Sequence, residues 1–241
     1  MMHPPSPQRP IFDAYAKEYD AALMRGVSIS GEGKEYFARG RVLWLVRRLA
    51  ELGERPQSVV DFGCGTGSAT PFLLEIPGVN SVLGMDVSAG SIESARQQHG
   101  SPRARFVTLL EYTPNAQMDL AFCNGVFHHI PVAERAEAVR FIYRTLRPGG
   151  VFAFWENNPW NPGTRLVMSR IPFDRDAITL TPPEARRLLG DNGFEVLGTD
   201  FQFIFPKVLG WLRPLEKKLA RLPLGAQYQI LGRKPAVVTE P

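Results

Sequence analysis

Short apolar runs alternate with helix-period segments through the middle of the chain. SVVDF (58–62), SVLGMD (81–86), ARFVTLL (104–110), MDLAFCN (118–124) and GVFAFWE (150–156) are rich in β-branched and aromatic residues and read as strands. Between them, residues 68–75, 88–99 and 132–146 follow a helical period. The last of these aligns Val132, Ala136, Val139, Ile142 and Leu146 and stops at RPGG, where proline and glycine end it. Repeated strand–helix–strand order predicts an α/β fold, a doubly wound and mostly parallel sheet with helices on both faces. Such a sheet holds its ligand beyond the carboxyl ends of the strands, where the strand order reverses.

The flanks have other patterns. Residues 1–10 hold four prolines and read as a disordered leader, so a single domain is expected over 11–235. Residues 11–55 are amphipathic and predict an N-terminal helical cap, with Phe37, Leu43, Val46 and Leu49 at helical spacing. After the fifth strand, 157–180 is too long for an ordinary connection and reads as a lid over the acceptor. Thr181 caps the next helix, with Pro182 and Pro183 in its first turn and Glu184 closing a capping box. FEVLGTDFQFIF and AQYQILGRK then supply two more strands around an inserted basic amphipathic helix at 206–222. The sheet would have seven strands, the last antiparallel.

Composition narrows the setting. A chain of 241 residues with 44% hydrophobic and 22% charged positions can bury one good-sized core. No apolar run approaches the ~20 residues that span a bilayer, and MMHPPSPQRP lacks the apolar centre of a signal peptide, so a cytoplasmic protein is expected, as monomer or homodimer. Its two cysteines, Cys64 and Cys123, are too few for a disulfide framework and read as buried packing thiols. The net charge of +4 is concentrated between Phe205 and Lys234, where seven basic residues face only Glu216.

The chemistry is concentrated in VVDFGCGTG. Gly63, Gly65 and Gly67 follow a strand and bring bare backbone close to whatever lies over its end. Dinucleotide sites space their glycines G-x-G-x-x-G, whereas here the third comes one residue early. Asp61 would repel a pyrophosphate but accept from an ammonium group. Nineteen residues beyond Gly67, Asp86 ends the second strand, where an acid suits ribose hydroxyls. A plain turn would also use glycines; the acid at this distance sets the loop apart. A nucleoside with a cationic amino-acid portion fits both acids.

VVDFGCGTG, GMDVS, LLEYTP, MDLAFCNGVFHHI and LRPGGVFAF, in this order, resemble the class I S-adenosylmethionine-dependent methyltransferases over about residues 58–156. The resemblance implies S-adenosyl-L-methionine as cofactor, with S-adenosyl-L-homocysteine as product. Gly63, Cys64, Gly65 and Gly67 would line its methionine part and Asp61 would support the amino group. Asp86 would hold the ribose, Val87 would face the adenine, Glu111 and Tyr112 would border its edge, and Asn124 and Gly125 would lie near the sulfonium. Tyr19 matches a tyrosine that closes over the cofactor in related small-molecule enzymes.

Methyl transfer is an in-line displacement that depends on alignment, and a base is needed only when the accepting atom must lose a proton. His128, His129 and Glu156, at the ends of the fourth and fifth strands, are the candidates, although a capping role suits the histidines equally. Without a carboxylate or cysteine cluster beside them, the histidines predict no metal site. Trp160, Leu166, Met168 and Phe173, with Arg165 and Arg170, suggest a small apolar or aromatic acceptor carrying an anionic group. The same apolar residues could simply pack the lid.

Other classes are weaker. DNA amino-methylating enzymes carry Asn/Asp-Pro-Pro-aromatic after the fourth strand, where this chain has Asn124-Gly125-Val126-Phe127, so no nucleic acid is expected. Residues 207–221 would suit a weak membrane-surface contact. A nicotinamide-dependent oxidoreductase would share the fold but not the glycine spacing. Nucleic-acid or protein methylation, and a non-catalytic cofactor-binding role, stay open as alternatives.

Overall fold

The computed structural model describes residues 30–171, 174 and 177–236. Tyr19, Phe173 and the cap segment before residue 30 lie outside them. Helix α1 (Lys34–Leu52) precedes the sheet and ends at Gly53, whose φ of 71° permits the left-handed cap. Then follow β1 (Ser58–Phe62), a one-turn helix α2 (Thr70–Leu73), β2 (Ser81–Asp86), α3 (Ala89–His99), β3 (Ala104–Thr108) and β4 (Met118–Asn124). Helix α4 (Arg135–Thr145), β5 (Leu146–Asn157), α5 (Pro162–Arg170), α6 (Pro182–Asp191), β6 (Glu195–Gln202), α7 (Glu216–Leu219) and β7 (Gln227–Arg233) complete the order.

The seven strands form one sheet, β3-β2-β1-β4-β5-β7-β6. Strands β1 to β5 are parallel, and β7 runs antiparallel between β5 and β6. The order reverses between β1 and β4, so the crevice at a reversal lies where these two strands end. Alternating side chains build two apolar layers. Val60, Phe62, Ala121, Phe152 and Phe154 pack against α4 and α6 on one face, while Val59, Leu120, Phe122 and Trp155 pack against α1 on the other. Burying each valine, leucine or phenylalanine among them stabilises the fold by roughly 1.5–3 kcal/mol.

A buried carboxylate fastens α1 to the far edge of the sheet. Asp200 of β6, 2% exposed, accepts from Trp44 Nε1 at 3.2 Å and pairs with Arg48 Nε at 3.1 Å and Arg221 Nη1 at 3.2 Å.

Several expected boundaries move. The buried stripe of α1 is Ala38, Val42, Trp44, Leu45 and Leu49, and Leu43, expected inside, is 58% exposed. The segment expected as one helix over 132–146 is a 3-10 turn at Val132–Glu134 followed by α4, and RPGG belongs to β5. Helix α2 keeps only four residues of 68–75, and β3 stops at Thr108, where Leu109–Glu111 forms a 3-10 turn. The basic segment is 3-10 over Lys207–Leu215 and α-helical only in α7, because Pro214 removes a backbone donor and Leu209 leaves helical geometry. Thr181 and Glu184 form the predicted capping box of α6.

Candidate active site

Backbone contacts fix the glycine turn over the end of β1. Gly63 N and Cys64 N both donate to Met85 O of β2, at 2.7 and 2.9 Å, and Gly67 N donates to Cys64 O at 2.9 Å. Gly63 has a φ of +74°, and a Cβ there would lie 2.3 Å from Val126 Cγ2. Gly65 has a φ of +53°, and a Cβ there would meet nothing within 4 Å. The first glycine therefore permits close packing, while the second leaves bare backbone facing open space.

Beside this cradle Asp61 is 3% exposed, and its Oδ2 has no hydrogen-bond partner among the described residues. Burial, with Asp86 adding to it and Arg41 opposing it, pushes its pKa up to about 7. A buried carboxylate with an unused acceptor fits a ligand carrying an ammonium group. Asn124 Oδ1 is likewise buried without a partner among the described residues.

The turn opens into a cavity of about 460 Å³. Asp61, Gly63, Cys64, Gly65, Asn124, Gly125, His128 and His129 line it together, as do Met168, Val167 and Thr164 of the lid. Gly67, Asp86, Val87, Glu111 and Tyr112 are not in the lining. Asp86 accepts from Gly65 N and Ser88 N, both at 2.9 Å, and so holds the turn in place. Glu111 closes a capping box on Thr108 and faces Arg96 at 3.4 Å, while Tyr112 packs on Phe141 and donates to Asn115 Oδ1. Half-buried Val87 directly follows Asp86. Arg165 and Arg170 of the lid helix are exposed and outside the lining, as are Trp160 and Leu166, 49% and 45% exposed.

The leading helices were expected to help form the acceptor pocket, and α1 does line the opposite wall, although sequence patterns named none of its polar groups. Tyr36 and Phe37 of α1 meet Phe203, with ring centroids 5.0 to 6.0 Å apart, and Arg213 stacks over Tyr36 at 4.5 Å while pairing with Glu32 at 2.9 Å. Lys34 and Arg41 also line this side, with Arg41 Nη1 donating to Gln227 Oε1 at 2.8 Å. No motif could have located these groups, because they belong to α1 and the segment after β6. Only the apolar spacing that names Phe37 hinted at them.

The third wall carries the histidines. His128 Nδ1 lies 2.6 Å from Glu156 Oε2, and Glu156 also accepts from Phe127 N at 2.7 Å. On the other side, Asp174 Oδ1 is 3.5 Å from His128 Nε2 and 3.2 Å from His129 Nε2. Burial alone would lower the His128 pKa, but Glu156 and Asp174 raise it to about 10. Burial lowers that of His129, against the pull of Asp174. The ground for expecting no metal, the lack of a nearby carboxylate, therefore fails: Glu156 and Asp174 both adjoin the pair. Asp174 went unnoticed because it lies in the lid, far along the chain from either histidine. Cys64 and Cys123 are both free and buried, with thiols pushed up by burial.

Residues 60–152 match the family model described as a methyltransferase domain. The chain is 34% identical over 115 residues to a trans-aconitate 2-methyltransferase of Azoarcus sp. (strain BH72), covering 48% of this chain and 45% of that protein. It spans about half the length of the curated relatives it matches. Among solved structures it resembles a chain of the Haloferax volcanii complex between the Trm112 methyltransferase activator and its methyltransferase. There the TM-score is 0.63 at 19% identity, over 96% of this chain and 99% of that one. An S-adenosylmethionine-dependent methyltransferase from Mesorhizobium loti aligns with a TM-score of 0.58 at 20% identity, over 80% and 97%.

Proposed function

We propose, for a chain that carries a class I S-adenosylmethionine-dependent methyltransferase domain, that it methylates an O, N or C atom of a small acceptor bearing an anionic group. One observation carries the reading: a single cavity joins the glycine cradle and Asp61 to a wall of aromatic rings and cations. Asp61, Gly63, Cys64, Gly65, Gly67, Asp86, Val87, Glu111, Tyr112, Asn124 and Gly125 would hold the cofactor. When bound, S-adenosylmethionine supplies a methyl group on a sulfonium centre.

The chain's own residues supply placement. Asp61 attracts the ammonium group, Asp86 fixes the turn through Gly65 N and Ser88 N, and the lid helix excludes water. Tyr36, Phe37 and Phe203 offer apolar contact, while Lys34, Arg41 and Arg213 favour negative charge. A carboxylate acceptor would need no base. For a hydroxyl acceptor, His129, whose pKa burial lowers, stands at the wall where a proton must leave, while His128, raised to about 10 and held by Glu156, takes up a proton only after giving one up. The relatives named as trans-aconitate 2-methyltransferases support an anionic acceptor, and a carboxylic acid is the first one to try.

The exposed face after β6 extends the reading to lipid-like acceptors. Val208 and Trp211 are 81% and 76% exposed, beside Lys207, Lys217 and Lys218, a pairing that suits an anionic lipid surface at the cavity mouth.

Calorimetry with S-adenosylhomocysteine and with NAD tests the cofactor. Tight binding of the first and none of the second is expected, and the reverse would sink the reading. A screen of carboxylic and aromatic acids, trans-aconitate included, scored by S-adenosylhomocysteine release, then separates an enzyme from a cofactor-binding protein without turnover.

A further inference from the structure

Two imidazoles and two carboxylates crowd one wall of the cavity, more ionisable groups than the alignment of a methyl group with its acceptor requires. Asp174 Oδ1 stands 3.5 Å from His128 Nε2 and 3.2 Å from His129 Nε2, and one donor atom from each of the three residues lies within 4.8 Å of the others. Ligands bound ~2.1 Å from a common ion are separated by about 3.0–3.4 Å when adjacent, so the 3.2 Å contact has the spacing of neighbouring ligands and the 3.5 Å contact lies just beyond it. The two rings follow one another on the 3-10 turn Phe127–His129, with centroids 4.1 Å apart.

The far side of His128 is also arranged for this. Its Nδ1 is held by Glu156 Oε2 at 2.6 Å, and Glu156 is fixed in turn by Phe127 N and Asn157 N. A carboxylate accepting from Nδ1–H leaves the lone pair on Nε2, on the side where Asp174 lies, as it does behind metal-bound histidines. Glu156 is 1% exposed and β5 carries it, so this support is rigid.

We propose that His128, His129 and Asp174 bind a first-row divalent cation such as Zn²⁺, with Glu156 orienting His128. Two nitrogens and one carboxylate oxygen favour such an ion over Mg²⁺ or Ca²⁺, which prefer all-oxygen sites. In the ion-bound state, with both imidazoles neutral as ligands, the two carboxylates carry two negative charges, which the cation balances. His128, His129 and Asp174 all line the cavity, so further coordination positions face the acceptor. An acceptor oxygen bound there is oriented, and a hydroxyl loses its proton to water more readily. The role toward the acceptor rests on the methyltransferase reading, whereas binding of the ion does not.

The test is titration of chelator-treated protein with Zn²⁺, with Mg²⁺ in parallel, by calorimetry. One saturable Zn²⁺ site per chain is expected, weakened roughly 10- to 100-fold by Glu156→Gln and at least about 100-fold by Asp174→Asn or His129→Gln. A measurement on the unaltered chain covers variants that fail to fold. With Co²⁺ bound, two of the four histidines should show strongly shifted ring-proton resonances. Absence of saturable Zn²⁺ binding, unchanged affinity in Asp174→Asn, or no shifted histidine signals would overturn the site. A protein that binds Zn²⁺ but not S-adenosylhomocysteine would keep the ion site and lose the methyltransferase reading instead.

Discussion

Asp61 couples cofactor binding to protons. Its folded pKa of about 7 lies above the ~3.9 of an exposed aspartate. Its protonated form thus favours the fold, a contribution fully present below about pH 4 and lost as pH rises through about 7. An ammonium group against Oδ2 favours the carboxylate instead, so binding below pH 7 should expel a proton. We expect the enthalpy of S-adenosylhomocysteine binding at pH 6 to vary with the ionisation enthalpy of the buffer, and not at pH 8.5. Equal buffer dependence at both values would assign the proton to another group. Asp61→Asn should weaken binding at pH 8 by roughly 10- to 100-fold, the scale of one charge-assisted hydrogen bond. In the absence of ligand the same change should stabilise the protein at pH 8 by about 1 kcal/mol or more, because no buried charge need form.

The turn between β1 and α2 divides its glycines by task. Gly63→Ala meets both a positive φ and Val126, so urea unfolding should show a loss of about 2–4 kcal/mol. Gly65→Ala meets only the positive φ, at about 1 kcal/mol, but puts a methyl group into the cradle. Its main effect should be on S-adenosylhomocysteine affinity; if the two variants lose affinity equally at equal stability, the division fails. The strands and this turn were readable because alternation, β-branching and glycine spacing are local. The buried face of α1 was misread because Leu43 and Trp44 are both apolar. What turns Trp44 inward is the hydrogen bond to Asp200, more than 150 residues away. The 3-10 character of Lys207–Leu215 escaped for a related reason: charge and apolar spacing report a face, whereas the backbone form follows from Pro214 and the packing around it.

At the scale of the whole molecule, the repeated strand–helix–strand pattern predicted a doubly wound, mostly parallel sheet with a reversal of strand order, and that reversal falls between β1 and β4. The other cavity walls come from α1, the lid and the segment after β6, which no local period links. Asp174 illustrates the limit: only the folded lid brings it to the histidines. The exposed Val208 and Trp211 give a prediction at this scale. The protein should co-sediment with anionic vesicles at low salt, less so as salt rises, and Trp211→Glu should abolish the binding. Absence of sedimentation at low salt would remove the lipid surface.

The interior position of β7 also constrains how the chain can be made. Strand β6 is translated first, yet among the described residues its only partner in the sheet is β7, and the edge of β5 is likewise reserved for β7. While the ribosome is still adding the residues between them, the parallel strands can assemble but β6 lacks its strand partner and can reach only the helices beside it, such as α1 through Asp200. Its apolar face must wait in solution, where a chaperone could hold it. A ribosome-bound chain stalled before Gln227 emerges should therefore protect β1 to β5 from protease while β6 is cut.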